Sequence, residues 1–164
     1  MNSGLFEYIL SDSPEATQGI AESLADNLGT GDTILLTGDL GTGKTLFARS
    51  LIQKRLHAAG LFEDVPSPTF TLVQTYHDGL TEIWHADLYR LSNPFDVIEL
   101  GLLDAFEDAI CLVEWPDRLG EYAPSDALAV EITATNTDKR QIAFSFENSK
   151  WERILSPLRE KART

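Results

Sequence analysis

Among 164 residues there is one cysteine, one methionine and no run of 18 apolar side chains. With Cys111 alone no intramolecular disulfide can form, which fits a reducing compartment. Without a long apolar run nothing in the sequence reads as a membrane span. The first ten residues, MNSGLFEYIL, also lack the basic start and apolar core of a secretory signal. Both observations place the expected protein in the cytoplasm. Basic residues are scarce too, 13 against 26 acidic ones, for a net charge of −13. They are adjacent only at Lys54-Arg55 and Lys139-Arg140. A protein that grips nucleic acid directly concentrates basic charge to displace counterions, so tight nucleic-acid binding is not expected and a basic protein partner is. His57, His77, His85 and Cys111 have no metal-ligand spacing, which argues against zinc.

What is present suffices for one domain spanning residues 1–164, with an average hydrophobic fraction of 43%. Leu5–Leu10 reads as a strand. Ser13-Pro14-Glu15 supplies a helix N-cap, a proline at the first helical position and an acid favourable to the dipole. Ile20, Leu24 and Leu28 continue that helix at helical spacing, and Gly29 closes it. Thr33–Thr37 is a short apolar run typical of a strand buried on both faces, and Leu46–Ala59 reads as a helix. Thr69–Tyr76 and Thr81–Ala86 flank Asp78-Gly79 as a hairpin. Asn93-Pro94 opens a helix to about Leu100. Ala109–Val113 is a second buried strand, and Leu128–Thr133 with Gln141–Phe146 form a second hairpin. A closing helix runs from Ser149 to Arg159, with Pro157 placed to cut it short. The fold class expected is α/β: a sheet of mixed parallel and antiparallel strands with helices on both faces, like that of phosphate-loop nucleotidases.

Chemistry concentrates at Gly38-Asp39-Leu40-Gly41-Thr42-Gly43-Lys44-Thr45, which matches G-x-x-x-x-G-K-[ST]. Glycines let successive N–H groups turn inward onto phosphate oxygens, and the following helix adds its positive end. Lys44 would reach the β- and γ-phosphates of ATP, and the Thr45 hydroxyl would ligate magnesium. Four fixed positions match by chance in roughly one chain of this length in two hundred, and the strand-before, helix-after context lowers that further. Such a loop needs a second carboxylate on the metal side, at the end of a neighbouring strand. Glu114, directly after the second apolar run, and Asp87, after the hairpin strand, are the two candidates. Ser67-Pro68-Thr69-Phe70 sits where a switch segment would, although on composition it reads as a plain loop. His85, two residues before Asp87, shares its strand face and by itself reads as structural. Asp117–Gly120 spells D-x-x-G but follows Pro116 rather than a strand end, and Asn136–Lys139 scrambles the guanine-reading motif. A GTPase is therefore disfavoured. A small-molecule kinase is the nearer rival, yet no arginine-rich lid follows the middle helices. A nucleotide-driven switch that hardly hydrolyses ATP is the third possibility.

GDLGTGKT, SPTF, HADLYRL (His85–Leu91), ELG (Glu99–Gly101) and VEWP (Val113–Pro116), in this order, resemble the bacterial tRNA threonylcarbamoyladenosine biosynthesis ATPases of the TsaE (formerly YjeE) family. The similarity runs from Glu15-Ala16-Thr17 to the C-terminal hairpin. Thr42 replaces the alanine usual in that family's loop. The resemblance implies a magnesium-dependent ATP hydrolase, weak alone and stimulated by partners. It would serve the threonylcarbamoyl modification of position 37 in tRNAs reading codons that begin with A. It would reset the TsaD–TsaB transferase complex rather than transfer the group. It further implies nucleotide contacts from Thr17, from Asp39, Leu40, Gly41, Thr42, Gly43, Lys44, Thr45 and Leu46, and from Trp115 and Arg140. Lys44, Asp87 and Glu114 would be catalytic, with Thr45 and Glu114 on magnesium. A net charge of −13 agrees with work done through protein partners rather than on tRNA itself.

Overall fold

The structure, a computed structural model, describes residues 4–162. Seven strands form one sheet in the order β1-β7-β6-β2-β5-β4-β3. At its centre β2 (Thr33–Thr37) runs parallel to both neighbours, β5 (Ile110–Glu114) and β6 (Leu128–Ala134). Continuous apolar sequence suits these positions because both faces of a central strand are covered. On one side β6 turns back antiparallel into β7 (Arg140–Phe146), and β1 (Gly4–Ser11) closes that edge. On the other side β4 (Glu82–Asp87) is parallel to β5 and carries β3 (Val73–His77) antiparallel at the far edge.

Two apolar layers flank the sheet. In the larger one Ile34, Leu36, Ile110 and Leu112 pack against α1 (Pro14–Ala25), α2 (Lys44–Ala58) and α5 (Lys150–Ala162). In the smaller one Cys111, Val113 and Ala86 meet α3 (Asp96–Leu100), α4 (Leu102–Asp108) and Leu119 of a 3-10 segment kinked at Gly120. The fold is therefore the expected mixed α/β sheet with helices on both faces. Among the described residues no helix is long and apolar enough to cross a membrane.

Four local details differ from the sequence pattern, each for a tertiary reason. Helix α1 stops at Ala25, before Gly29, and there Arg55 of α2 takes up the carbonyl of Ala25 at the helix end (2.6 Å) and that of Leu28 beyond it (3.0 Å). Strand β3 starts at Val73, not Thr69. The Leu72 N–H turns back onto Pro68 O (2.7 Å), and Leu72 O accepts from Asp87 N (2.9 Å). Helix α4 went unread because it is short and follows Gly101, a left-handed residue that breaks the periodicity (φ 86°). Pro157 lies inside α5 without ending it. The buried stripe Trp151, Ile154, Leu155 and Leu158, at about 1.5–3 kcal/mol per large apolar side chain, outweighs one missing backbone bond.

Candidate functional site

The loop from Gly38 to Gly43 leaves the carboxyl end of the central strand and enters α2 at Lys44. That is where ligands bind in open α/β sheets. The backbone explains two of its glycines. A Cβ on Gly38 would stand 2.6 Å from Ile132 O and 2.6 Å from Thr42 Oγ1, so β6 and the loop itself leave room only for hydrogen. Gly41 has open space around it but a left-handed φ of 78°, which other residues adopt at a cost. Helix α2 starts without a side-chain cap, so its first-turn N–H groups are offered to an anion.

Lys44 is buried. Its Nζ donates to Gly38 O (2.7 Å) and Asp39 O (2.8 Å) and lies 4.4 Å from the centre of the Trp115 ring. Burial lowers the ammonium pKa below its ordinary 10.5, against the opposing pull of Glu114, Asp87 and Asp39. The two acids weighed from the sequence stand side by side, because Asp87 pairs with Glu114 in the parallel register of β4 and β5. Glu114 accepts from the Thr45 hydroxyl at both oxygens (2.8 and 3.0 Å) and contacts His85 Nε2 at 2.7 Å. Asp87 accepts from the Thr69 hydroxyl (3.3 Å) and from Tyr89 N (3.1 Å), and Ser67 reaches Thr69 at 2.7 Å. A cleft of about 320 Å³ opens between Lys44, Thr45, Thr69, Asp87, Glu114 and Trp115.

Trp115 follows Glu114 with φ 58°, and Leu72, which accepts from Asp87 N, has φ 69°. These are the non-glycine residues with positive φ among the described ones, and both adjoin the paired acids. Backbone strain of this kind collects at functional sites. The Trp115 ring packs against Tyr89 at 4.8 Å and faces the acid-lined cleft.

Across the loop lies a second cavity of about 200 Å³, lined by Thr17, Thr42, Gly43, Leu46, Asp138 and Arg140 among others. Thr17 is buried there and hydrogen-bonds Ser11 Oγ at 2.7 Å. Arg140 Nε donates to Thr42 O (2.9 Å) and its Nη2 to Gly41 O (3.4 Å). Its Nη1 binds the turn carbonyls of Asn136 and Thr137 at 3.1 and 3.2 Å. One guanidinium thus ties the β6–β7 turn to the phosphate-type loop. Asp39 and Leu40 lie on the rim, with Leu40 exposed. A third cleft, of about 630 Å³, lies against Leu40, Trp115, Asp117 and Glu131 and has no basic side chain in its lining.

The structure brings Lys44, Thr45, Asp87, Glu114 and Trp115 to one side of the loop and Thr17 and Arg140 to the other, with Leu46 lining both cavities. The sequence reading gave His85 no place in the site. Its spacing of two from Asp87 on one strand face and its place at the head of the HADLYRL motif hinted at it. Tyr89, inside the same motif and just past the strand end, had no role assigned from sequence.

Comparison with known proteins supplies the family. The family profile described as "Threonylcarbamoyl adenosine biosynthesis protein TsaE" matches residues 11–142, from the end of β1 into β7. The tRNA threonylcarbamoyladenosine biosynthesis protein TsaE of Bacillus subtilis is 34% identical over 146 residues, covering 88% of this chain and 89% of that protein. The protein of the same name from Rickettsia bellii is 38% identical over 128 residues, covering 78% and 87%. The crystal structure of Bacillus subtilis YdiB superposes with a TM-score of 0.79 at 28% identity, covering 98% of both chains. The match thus spans the glycine loop, the paired acids and Arg140, and on it the chain belongs to the TsaE family of threonylcarbamoyl adenosine biosynthesis proteins.

Proposed function

We propose that the chain is a magnesium-dependent ATPase of tRNA threonylcarbamoyladenosine biosynthesis, hydrolysing ATP to reset a TsaD–TsaB transferase complex. The observation that carries the reading is the Lys44–Thr45–Glu114–Asp87 cluster at the mouth of the glycine loop. Hard oxygen donors from one hydroxyl and two adjacent carboxylates suit magnesium, which takes one or two carboxylates together with substrate phosphates. Thr45 and Glu114 would hold it, and the ion would neutralise charge on the β- and γ-phosphates. ATP would lie across the loop, its phosphates beside Lys44 and its base side toward Thr17, Leu46 and Arg140.

In hydrolysis, water attacks the γ-phosphate in line with the departing oxygen. Lys44 exchanges its bonds to Gly38 O and Asp39 O for phosphate oxygens and stabilises the charge that develops. Asp87, oriented by Thr69 and Tyr89 N, accepts a hydrogen bond from the water and aims it. Trp115 covers this end of the cleft and reports its occupancy by fluorescence. Partners are expected to be proteins with basic surfaces, given the net charge of −13.

A small-molecule kinase would need an acceptor pocket and a basic lid beside the phosphates. The third cleft, with Asp117 and Glu131 in its walls, would repel a phosphorylated acceptor. The deciding experiment is steady-state phosphate release from ATP and magnesium, with and without purified TsaD–TsaB heterodimer. Stimulation by the heterodimer that is lost in Glu114→Gln and Lys44→Ala supports the proposal. No stimulation, or unchanged release in Lys44→Ala, overturns it.

A further inference from the structure

We propose that His85 is a positioning residue for the magnesium ligand, holding the Glu114 carboxylate in one orientation through its Nε2–H. The inference rests on the reading of Glu114 as a magnesium ligand given above. The two side chains are 0% and 3% exposed, and Nε2 lies 2.7 Å from Oε2. A carboxylate can only accept, so Nε2 carries the proton and the tautomer is fixed.

Two observations separate this role from ordinary packing. First, Nδ1 is buried and has no hydrogen-bond partner. A histidine kept for fold stability would have both nitrogens satisfied, since an orphaned buried acceptor destabilises the protein. On its strand face His85 follows Ile83, and across the sheet it lies between Leu112 of β5 and Gln74 of β3, neither of which bonds Nδ1. Second, the Thr45 hydroxyl reaches both Glu114 oxygens almost equally, at 2.8 and 3.0 Å, and so does not choose between them. His85 contacts Oε2 alone. That bond makes the two oxygens unequal and stops the carboxylate from turning, leaving Oε1 with Thr45 as its partner on the loop side. Residues that orient a metal ligand in this way set metal affinity without touching the metal.

The test is Mn²⁺ affinity, read by electron paramagnetic resonance in the presence of a non-hydrolysable ATP analogue, for the full chain. The variants are His85→Leu, His85→Gln and Glu114→Gln. Glutamine's amide nitrogen falls close to the position of Nε2 and keeps the donor, whereas leucine removes it. His85→Leu is expected to weaken Mn²⁺ binding about 10–100-fold, as loss of a ligand-orienting partner does. Its analogue affinity in EDTA should stay unchanged, and its melting temperature should equal or exceed the parent's. His85→Gln is expected to stay within about threefold of the parent, well short of that loss. Should His85→Leu not fold, His85→Met replaces it with the same expectation. Unchanged Mn²⁺ affinity in the leucine variant, equal losses with leucine and glutamine, or a parallel loss of metal-free analogue binding would each overturn the proposal. If Glu114→Gln itself leaves Mn²⁺ binding intact, the assignment of Glu114 to the metal fails first. If that variant loses the ion and His85→Leu does not, the role of His85 alone is rejected.

Discussion

Replacing Gly38 by alanine tests whether the loop is shaped by contact with the sheet beneath it. The added Cβ would meet Ile132 O and Thr42 Oγ1, each at 2.6 Å. Contacts that short force one of the partners to move. The hydroxyl of Thr42 can rotate away, giving up its 3.0 Å bond to Asp39 O. Ile132 O cannot move cheaply, because it belongs to β6 between two paired strands. Overpacking against an immovable partner costs about 1–3 kcal/mol, and two contacts place Gly38→Ala near the top, at about 3 kcal/mol. For a chain of this size that lowers the melting temperature by about 6–12 °C. Gly41→Ala serves as the contrast. Its Cβ meets nothing within 4 Å, so only its left-handed φ of 78° resists, for about 1–2 kcal/mol. Adding Thr42→Ala to Gly38→Ala should recover part of the loss, and never all, since the carbonyl contact remains. Differential scanning calorimetry of the three variants and the parent gives the ranking. Gly38→Ala melting within about 2 °C of the parent, or full rescue by Thr42→Ala, would refute the claim that β6 packs against the loop.

Further expectations concern ionisable groups away from and within the site. Lys44 is charged below its lowered pKa and neutral above it, so metal-free ATP affinity should fall as pH rises, with the decline beginning below 10.5. Calorimetric titration across about pH 7 to 10 that shows no change would contradict this. Burial pushes the Asp78 carboxyl up, but the N–H groups of Leu80 and Thr81 and the Arg55 guanidinium overcome it and hold the group below 3.8. A depressed acid contributes stability that is present above 3.8 and lost as pH falls through its lower folded value. Asp78→Asn should therefore be less stable near neutrality and flatter in acid unfolding, and an acid transition as steep as the parent's would count against the pairing. The Cys111 thiol is pushed up to about 12, chiefly by burial. A disulfide reagent at about pH 8 should leave it unlabelled until the protein unfolds, and fast labelling of native protein would show that the small core opens.

Local chemistry made some of this protein legible in sequence. The G-x-x-x-x-G-K-T pattern fixed the loop, because phosphate cradling needs those residues at that spacing. Ser13 as N-cap was readable because its Oγ acts within three residues, accepting from Ala16 N at 3.0 Å. The buried strands Thr33–Thr37 and Ile110–Glu114, the second read one residue early as Ala109–Val113, were readable because strands covered on both faces carry no polar alternation. The second hairpin was readable from alternation and from Asn136, whose Oδ1 accepts from Asp138 N and Lys139 N.

Contacts between distant segments were decided only by the tertiary structure. Asp87 and Glu114 are rival candidates in sequence and neighbours in space, because a register between parallel strands leaves no trace in either strand. Arg140 reaches Thr42 across 98 positions, and His85 reaches Glu114 across 29. No periodicity encodes such pairs, since each depends on strand order and on which face a side chain takes. For the same reason Pro157 misled: the stripe that keeps its helix whole is buried by α1 and the sheet, not by anything within the helix. Residue type and spacing determined what chemistry the chain could perform, and the packing of the sheet decided which side chains stand together to perform it.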